Sequence, residues 1–133
     1  MSYIIAKNRQ IRKVLKQYQL NFSKKYKKCC IEGRDISTKI LPKSDLKFFF
    51  ICNLNKAARR RFNELKKSNP SIKLKNVKNA LRKRNMLDKN RKNSPLLKHR
   101  DSVEIDTGKL DKKAMLKKMT KEVEKKLNLK YGK

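Results

Sequence analysis

The sequence predicts an α/β fold in which parallel strands are flanked by helices. Leu46 to Cys52 is a near-continuous apolar run, the pattern of a strand covered on both faces. Ser102 to Ile105 alternates polar and apolar residues, the pattern of a second, short strand. Several segments with apolar residues at helical spacing alternate with these strands, which favours parallel pairing through helical crossovers. The 133 residues suffice for one domain with one modest core.

The first helix is predicted over 9–22. Ile11, Val14, Leu15, Tyr18 and Phe22 recur on one face, and Arg12 lies off that stripe. A lysine-rich turn, 24–28, leads into Cys29-Cys30-Ile31, read as a short buried strand, and the chain then breaks at Glu32-Gly33-Arg34-Asp35. Ligands in open α/β sheets bind at the carboxyl ends of strands. Arg34 and Asp35 would then offer a fixed cation and a fixed carboxylate to a small molecule. The alternative is a surface turn in which they pair with each other.

Leu41 to Asp45 is a turn before the apolar strand. Asn53 or Asn55 can cap a helix over 55–67 that buries Ala58, Phe62 and Leu65 and carries Arg59 to Arg61. Ser68 to Ser71 breaks that helix. Ser71 can cap the next, 72–86, buried through Leu74, Val77 and Leu81. If this helix continues, Arg84, Asp88 and Arg91 fall at i, i+4 and i+7, on one face. Two arginines around one aspartate suit a clamp for phosphate and hydroxyl; the alternative is a solvated ion pair of small energetic weight. Ser94 to Leu96 ends the segment. After the alternating strand, Asp111 can cap a last helix over 112–127 whose Leu116, Met119, Val123 and Leu127 are read as core.

The formal net charge is +29, which points first to nucleic acid or another polyanion. The lysines are spread along the whole chain, which fits a compositional bias as well as a site. The arginines are more selective: ten of the 40 basic residues are Arg. A planar, bidentate guanidinium suits phosphate or carboxylate where a generic cation would not. Three cysteines, no C-x-x-C and a single histidine argue against zinc and against a disulfide framework, so Cys29, Cys30 and Cys52 are read as small core residues. No apolar run approaches the roughly 20 residues of a membrane span, and no signal-peptide region opens the chain, so no membrane partner and a cytoplasmic setting are expected.

Taken together, the motifs resemble one family. Glu32-Gly33-Arg34-Asp35-Ile36-Ser37-Thr38 followed by Leu41-Pro42-x-x-Asp45-x-Lys47-Phe48-Phe49 resembles the G-R-D-I-G-T and L-P-x-x-x-x-K segments of the bacterial cytidylate kinases, the (d)CMP kinases. The likeness continues in order through Ala58-Arg59-Arg60-Arg61, then Arg84-x-x-x-Asp88-x-Asn90-Arg91, Ser94-Pro95-Leu96 and Ile105-Asp106-Thr107. Arg12, with Leu15 and Gln19, fits the preceding helix. Ser37, Ala57, Asn85 and Leu87 depart from the family pattern.

The resemblance implies a partial P-loop nucleoside monophosphate kinase fold. It makes residues 1–128 the C-terminal part of a (d)CMP kinase domain, with a lid at about 68–95, and residues 129–133 a basic tail. It implies transfer of the γ-phosphoryl group of ATP to CMP or dCMP with Mg²⁺. Arg12 and Asp35 would then recognise the cytosine ring, with Ser2 a further base contact. Arg34 and Arg91 would hold the CMP phosphate, and Arg84 and Asp88 the sugar. Arg84 and Arg91 would be the catalytic cations, while Arg60 and Arg61 face ATP. The family's first strand and its G-x-x-x-x-G-K-[ST] loop have no counterpart here, since the only glycines are Gly33, Gly108 and Gly132. Without that loop's backbone N–H groups, ATP loses its main anchor. The expectation is a chain inactive alone, which a complementary N-terminal chain carrying the P-loop could complete, and the missing strand would leave apolar faces uncovered. The competing expectation is a catalytically dead basic module that binds RNA or another polyanion.

Overall fold

The computed structural model describes residues 8–90 and 96–132. Helix α1 (Arg9–Lys25) is followed by one π-helical turn (Ile36–Ile40) and strand β1 (Phe48–Ile51). Helices α2 (Leu54–Lys66) and α3 (Leu74–Lys89) come next, then strand β2 (Val103–Asp106) and helix α4 (Lys112–Tyr131). The two strands pair in parallel, with Phe48 opposite Val103 and Ile51 opposite Asp106. Backbone bonds from Val103 N to Lys47 O and from Thr107 N to Ile51 O, both 2.9 Å, extend the ladder past each end. Parallel strands need a long crossover, and the α2–α3 hairpin supplies it.

Local chemistry sets the helix starts. Asn8 Oδ1 accepts from the N–H groups of Gln10 and Ile11 at the head of α1. Asn53 Oδ1 accepts from Asn55 N at α2, and Asp111 Oδ1 from Ala114 N at α4. At α3 the expected cap is not made. Lys73 occupies the cap position without a side-chain bond, and the Ser71 hydroxyl donates to Asn69 Oδ1 instead. That bond ties Ser71 into the preceding turn, so the helix starts later than its spacing suggested.

Helix α2 packs along α3. Ala58, Val77 and Ile105 are the buried apolar residues among those described. Phe62, Leu65 and Leu81 are half-buried around them, while Leu74 reaches the surface. Several expected core positions lie outside this nucleus. Cys29 to Ile31 is irregular coil, with both cysteines exposed and Cys52 half-buried. Three residues with no neighbouring ladder gain nothing from an extended backbone. Phe50 is 51% exposed, so β1 is covered on one face rather than two. The apolar stripe of α1 faces outward, with Val14 68% and Tyr18 70% exposed. Leu116, Val123 and Leu127 of α4 are exposed and Met119 is half-buried. Helix α4 also continues to Tyr131, beyond its predicted end.

The chain exposes 11408 Å². A compact monomer of its mass exposes about 7,300 Å². No helix among the described residues is long and apolar enough to cross a membrane.

Candidate functional site

The site is built around two adjacent residues. The chain arrives at Arg34-Asp35 through irregular coil and leaves through the π-turn, in which Lys39 N donates to Asp35 O at 2.9 Å and Leu41 N to Ile36 O at 2.7 Å. A π-type turn widens the backbone ring by one residue, and such turns recur at functional positions. The turn is also tight at its entry. A Cβ on Gly33 would stand 2.6 Å from Ile36 Cγ1, inside contact distance, so any larger residue would force the Ile36 side chain to shift.

Arg34 and Asp35 do not pair with each other. Asp35 Oδ2 accepts from Arg12 Nη2 of α1 at 2.6 Å. Arg34 reaches the other way: its Nε donates to Asp88 Oδ2 of α3 at 2.7 Å, and its Nη2 meets the same oxygen. The Arg34 Nη2 group also donates to Asn85 Oδ1 at 3.3 Å. Arg84 Nε stands 3.9 Å from Asp88 Oδ2, one turn back along α3. Both carboxylates are buried, Asp35 at 8% and Asp88 at 7% exposure. A carboxylate withdrawn from water is tolerated when charged donors satisfy it, and charge-assisted bonds to guanidinium are the strong class. One peptide therefore ties α1 to α3 through two oppositely oriented ion pairs.

Of the residues singled out from sequence, the structure gathers Arg34, Arg84 and Asp88 into one cluster and Arg12 with Asp35 into a pair beside it. Arg60 and Arg61 are not part of either. Arg60 Nη2 donates to Thr107 O at 2.6 Å, and neighbouring Lys56 Nζ donates to Gly108 O at 2.7 Å. Both therefore sit at the carboxyl end of the strand pair, where the Thr107 hydroxyl donates to Ile51 O and Gly108 N to Asp106 Oδ1. Arg61 pairs with Glu64 at 2.9 Å on an exposed helix face. Arg91 lies outside the described residues, as do Ser2, Ser94 and Pro95.

Sequence reasoning missed three participants. Asn85 looked like a departure from the family pattern, yet it accepts from Arg34 one turn before Asp88; its helical i, i+3 spacing from Asp88 was the available signal. Lys47 is buried, with its ammonium donating to Ser44 O at 3.0 Å, which locks the turn leading into β1. Lys56 had no motif to mark it. A cavity of about 290 Å³ opens beside the Arg12–Asp35 pair, between α1 and the π-turn, with Lys13, Lys16, Lys39 and Ile40 among its walls.

The family model for cytidylate kinase matches residues 1–125. The chain belongs to the cytidylate kinase family. It is 35% identical over 115 residues to the cytidylate kinase of Clostridium tetani, a match covering 86% of this chain and 50% of that protein. The cytidylate kinase of Bartonella tribocorum is 36% identical over 106 residues, covering 80% and 49% respectively. That of Caldanaerobacter subterraneus is 31% identical over 122 residues, covering 92% and 54%. The chain thus spans about half the length of these curated relatives. Within the cytidylate kinase frame, the Arg34–Asp35 junction is the part of the matched half where cations, buried carboxylates and a cavity converge. No three His, Cys, Asp or Glu side chains among the described residues come together as a metal site.

Proposed function

We propose that this chain provides the nucleoside-monophosphate side of a (d)CMP kinase, and that ATP and Mg²⁺ are held by the remainder of the family's length, on the same polypeptide or on a second one. The observation that carries this reading is the Arg34–Asp35 junction. Its two neighbouring residues hold opposite charges in fixed positions, each secured from a different helix. Phosphoryl transfer is chiefly positioning and neutralisation of a spread anionic transition state, and arginines fixed by buried carboxylates suit both tasks. Arg12 and Asp35 would meet the edge of the cytosine ring as donor and acceptor. Arg34 would exchange part of its contact with Asp88 for the CMP phosphate, with Arg84 beside it and Arg91 added from the segment that follows α3. Asp88, once shared with the sugar hydroxyls, would keep a charged partner throughout.

The uncovered stripes of α1 and α4 and the open face of β1 support an assembly in which further family structure, including a phosphate loop, lies against this half. Alone, the chain is expected to give no CDP from CMP and ATP. CMP binding is the direct test and needs no turnover. Calorimetry should detect CMP, and Asp35→Ala and Arg91→Ala should each weaken it roughly tenfold or more, the loss of one charge-assisted contact. Undiminished affinity in both variants would remove the assigned site.

The charge of +29 favours a second reading, in which the chain is a catalytically dead module that binds RNA or another polyanion. Tight RNA binding that falls steeply with salt, together with no detectable CMP binding, would establish it over the first.

A further inference from the structure

The cavity beside the Arg12–Asp35 pair has walls whose charge the cytidine-site reading does not use. Arg9, Lys13 and Lys16 occupy one face of α1 at spacing i, i+4 and i+7, and Lys39 approaches from the π-turn. The carboxylate on the wall, Asp35, is already engaged by Arg12. Among the described residues the side chains of Arg9, Lys13, Lys16 and Lys39 make no ion pair or hydrogen bond. With Arg12 that makes five cations against one carboxylate, a formal wall charge of +4.

This placement is unfavourable for the helix. Like charges at i, i+4 repel, and cations near a helix N-terminus oppose its dipole. No acidic residue occupies the first turn of α1 to offset them. A multiply charged anion in the cavity would relieve each of these terms at once. The shape restricts which anion. A volume of about 290 Å³ is at the lower edge of small-molecule sites and takes a short run of linked phosphate groups rather than a nucleic-acid duplex. Among the described residues no aromatic ring lines it; Tyr18 and Phe22 lie on the opposite face of α1, so the described walls offer no stacking platform for single-stranded nucleic acid.

We infer that this cavity is a binding site for a linear polyphosphate group, carried by a nucleoside triphosphate or by inorganic polyphosphate. Lys13, Lys16 and Lys39 are the residues that select it, and none of them belongs to the proposed CMP contacts.

The test is calorimetric titration of the full chain with inorganic tripolyphosphate, with orthophosphate as reference. Tripolyphosphate should bind and orthophosphate should bind far more weakly. The double variant Lys13→Glu/Lys16→Glu should lose about tenfold or more in tripolyphosphate affinity. A charge-matched control on α4, Lys125→Glu/Lys126→Glu, whose residues do not line the cavity, should change it less than about twofold, since exposed charges outside the site are screened by salt. Lys39→Glu, on the turn rather than the helix, repeats the test should the double variant unfold α1. Arg34→Ala should leave tripolyphosphate binding intact while weakening CMP, which separates this site from the CMP reading. Equal losses in the cavity and control variants would reduce the effect to overall charge and overturn the site; so would equal affinity for tripolyphosphate and orthophosphate. Competition by CTP and ATP that exceeds competition by long-chain inorganic polyphosphate identifies a nucleotide as the source; the reverse order identifies inorganic polyphosphate.

Discussion

Asp88 shows what a single buried carboxylate demands of its neighbours. It is nearly withdrawn from solvent, yet Arg34 meets it with two nitrogens while Arg84 stands farther off and is 60% exposed. The two arginines are therefore unequal although both lie in the same motif. Arg34→Ala should destabilise the chain by about 1.5–3 kcal/mol, because it removes a close, doubly donating charged partner from a buried acceptor. Arg84→Ala should cost less than about 0.5 kcal/mol, as exposed pairs at long range do. Urea denaturation midpoints of the two variants check the order, and a larger loss at Arg84 would contradict the geometry. The string Gly33-Arg34-Asp35 stood out in the sequence as a candidate site, but the ion pairs it makes did not. Arg12 lies 23 residues before Asp35 and Asp88 lies 54 after Arg34, and no local periodicity encodes contacts over such separations.

At the scale of the element, spacing and burial part company. The helical period of α1 and α4 was readable because 3.6-residue recurrence is intrinsic to the chain. Whether a stripe is buried depends on what lies opposite, which the stripe itself cannot specify. Ile11, Val14, Leu15, Tyr18 and Phe22 therefore form the predicted helix face and still point to solvent. The reverse held at Cys29 to Ile31, where apolar composition suggested a strand but no ladder partner exists among the described residues. Caps followed local rules at two of the three predicted starts. Asn53→Ala and Asp111→Ala should each cost about 1 kcal/mol, since each removes an acceptor from a first-turn N–H group. Ser71→Ala should be close to neutral, because α3 begins at Leu74 without a side-chain cap. Denaturation followed by circular dichroism distinguishes the three; a large effect at Ser71 would mean that the helix starts where the sequence had placed it.

The whole molecule combines a small core with a large positive charge. Ala58, Val77 and Ile105 are buried, whereas large apolar side chains such as Leu116, Phe50 and Val14 are not. Self-repulsion at +29 works against any compact state, and salt screens it. The thermal midpoint should rise as NaCl increases from about 0.02 to 0.3 M, where the Debye length falls from roughly 20 to 6 Å. A midpoint that falls with salt would show that favourable ion pairs outweigh the repulsion. The α/β class and the parallel pair of strands were evident from composition and alternation alone. The openness of the fold was not, because it depends on surface that these residues leave uncovered. The register of that pair has a consequence for synthesis. The phenylalanines at 48–50 leave the ribosome long before Val103 to Asp106, their only ladder neighbours among the described residues. At translation rates of about 5–20 residues per second, the gap amounts to roughly 3–11 s. For that interval the Phe48–Ile51 strand lacks its β2 neighbour on the nascent chain, an apolar segment where chaperone capture and aggregation compete.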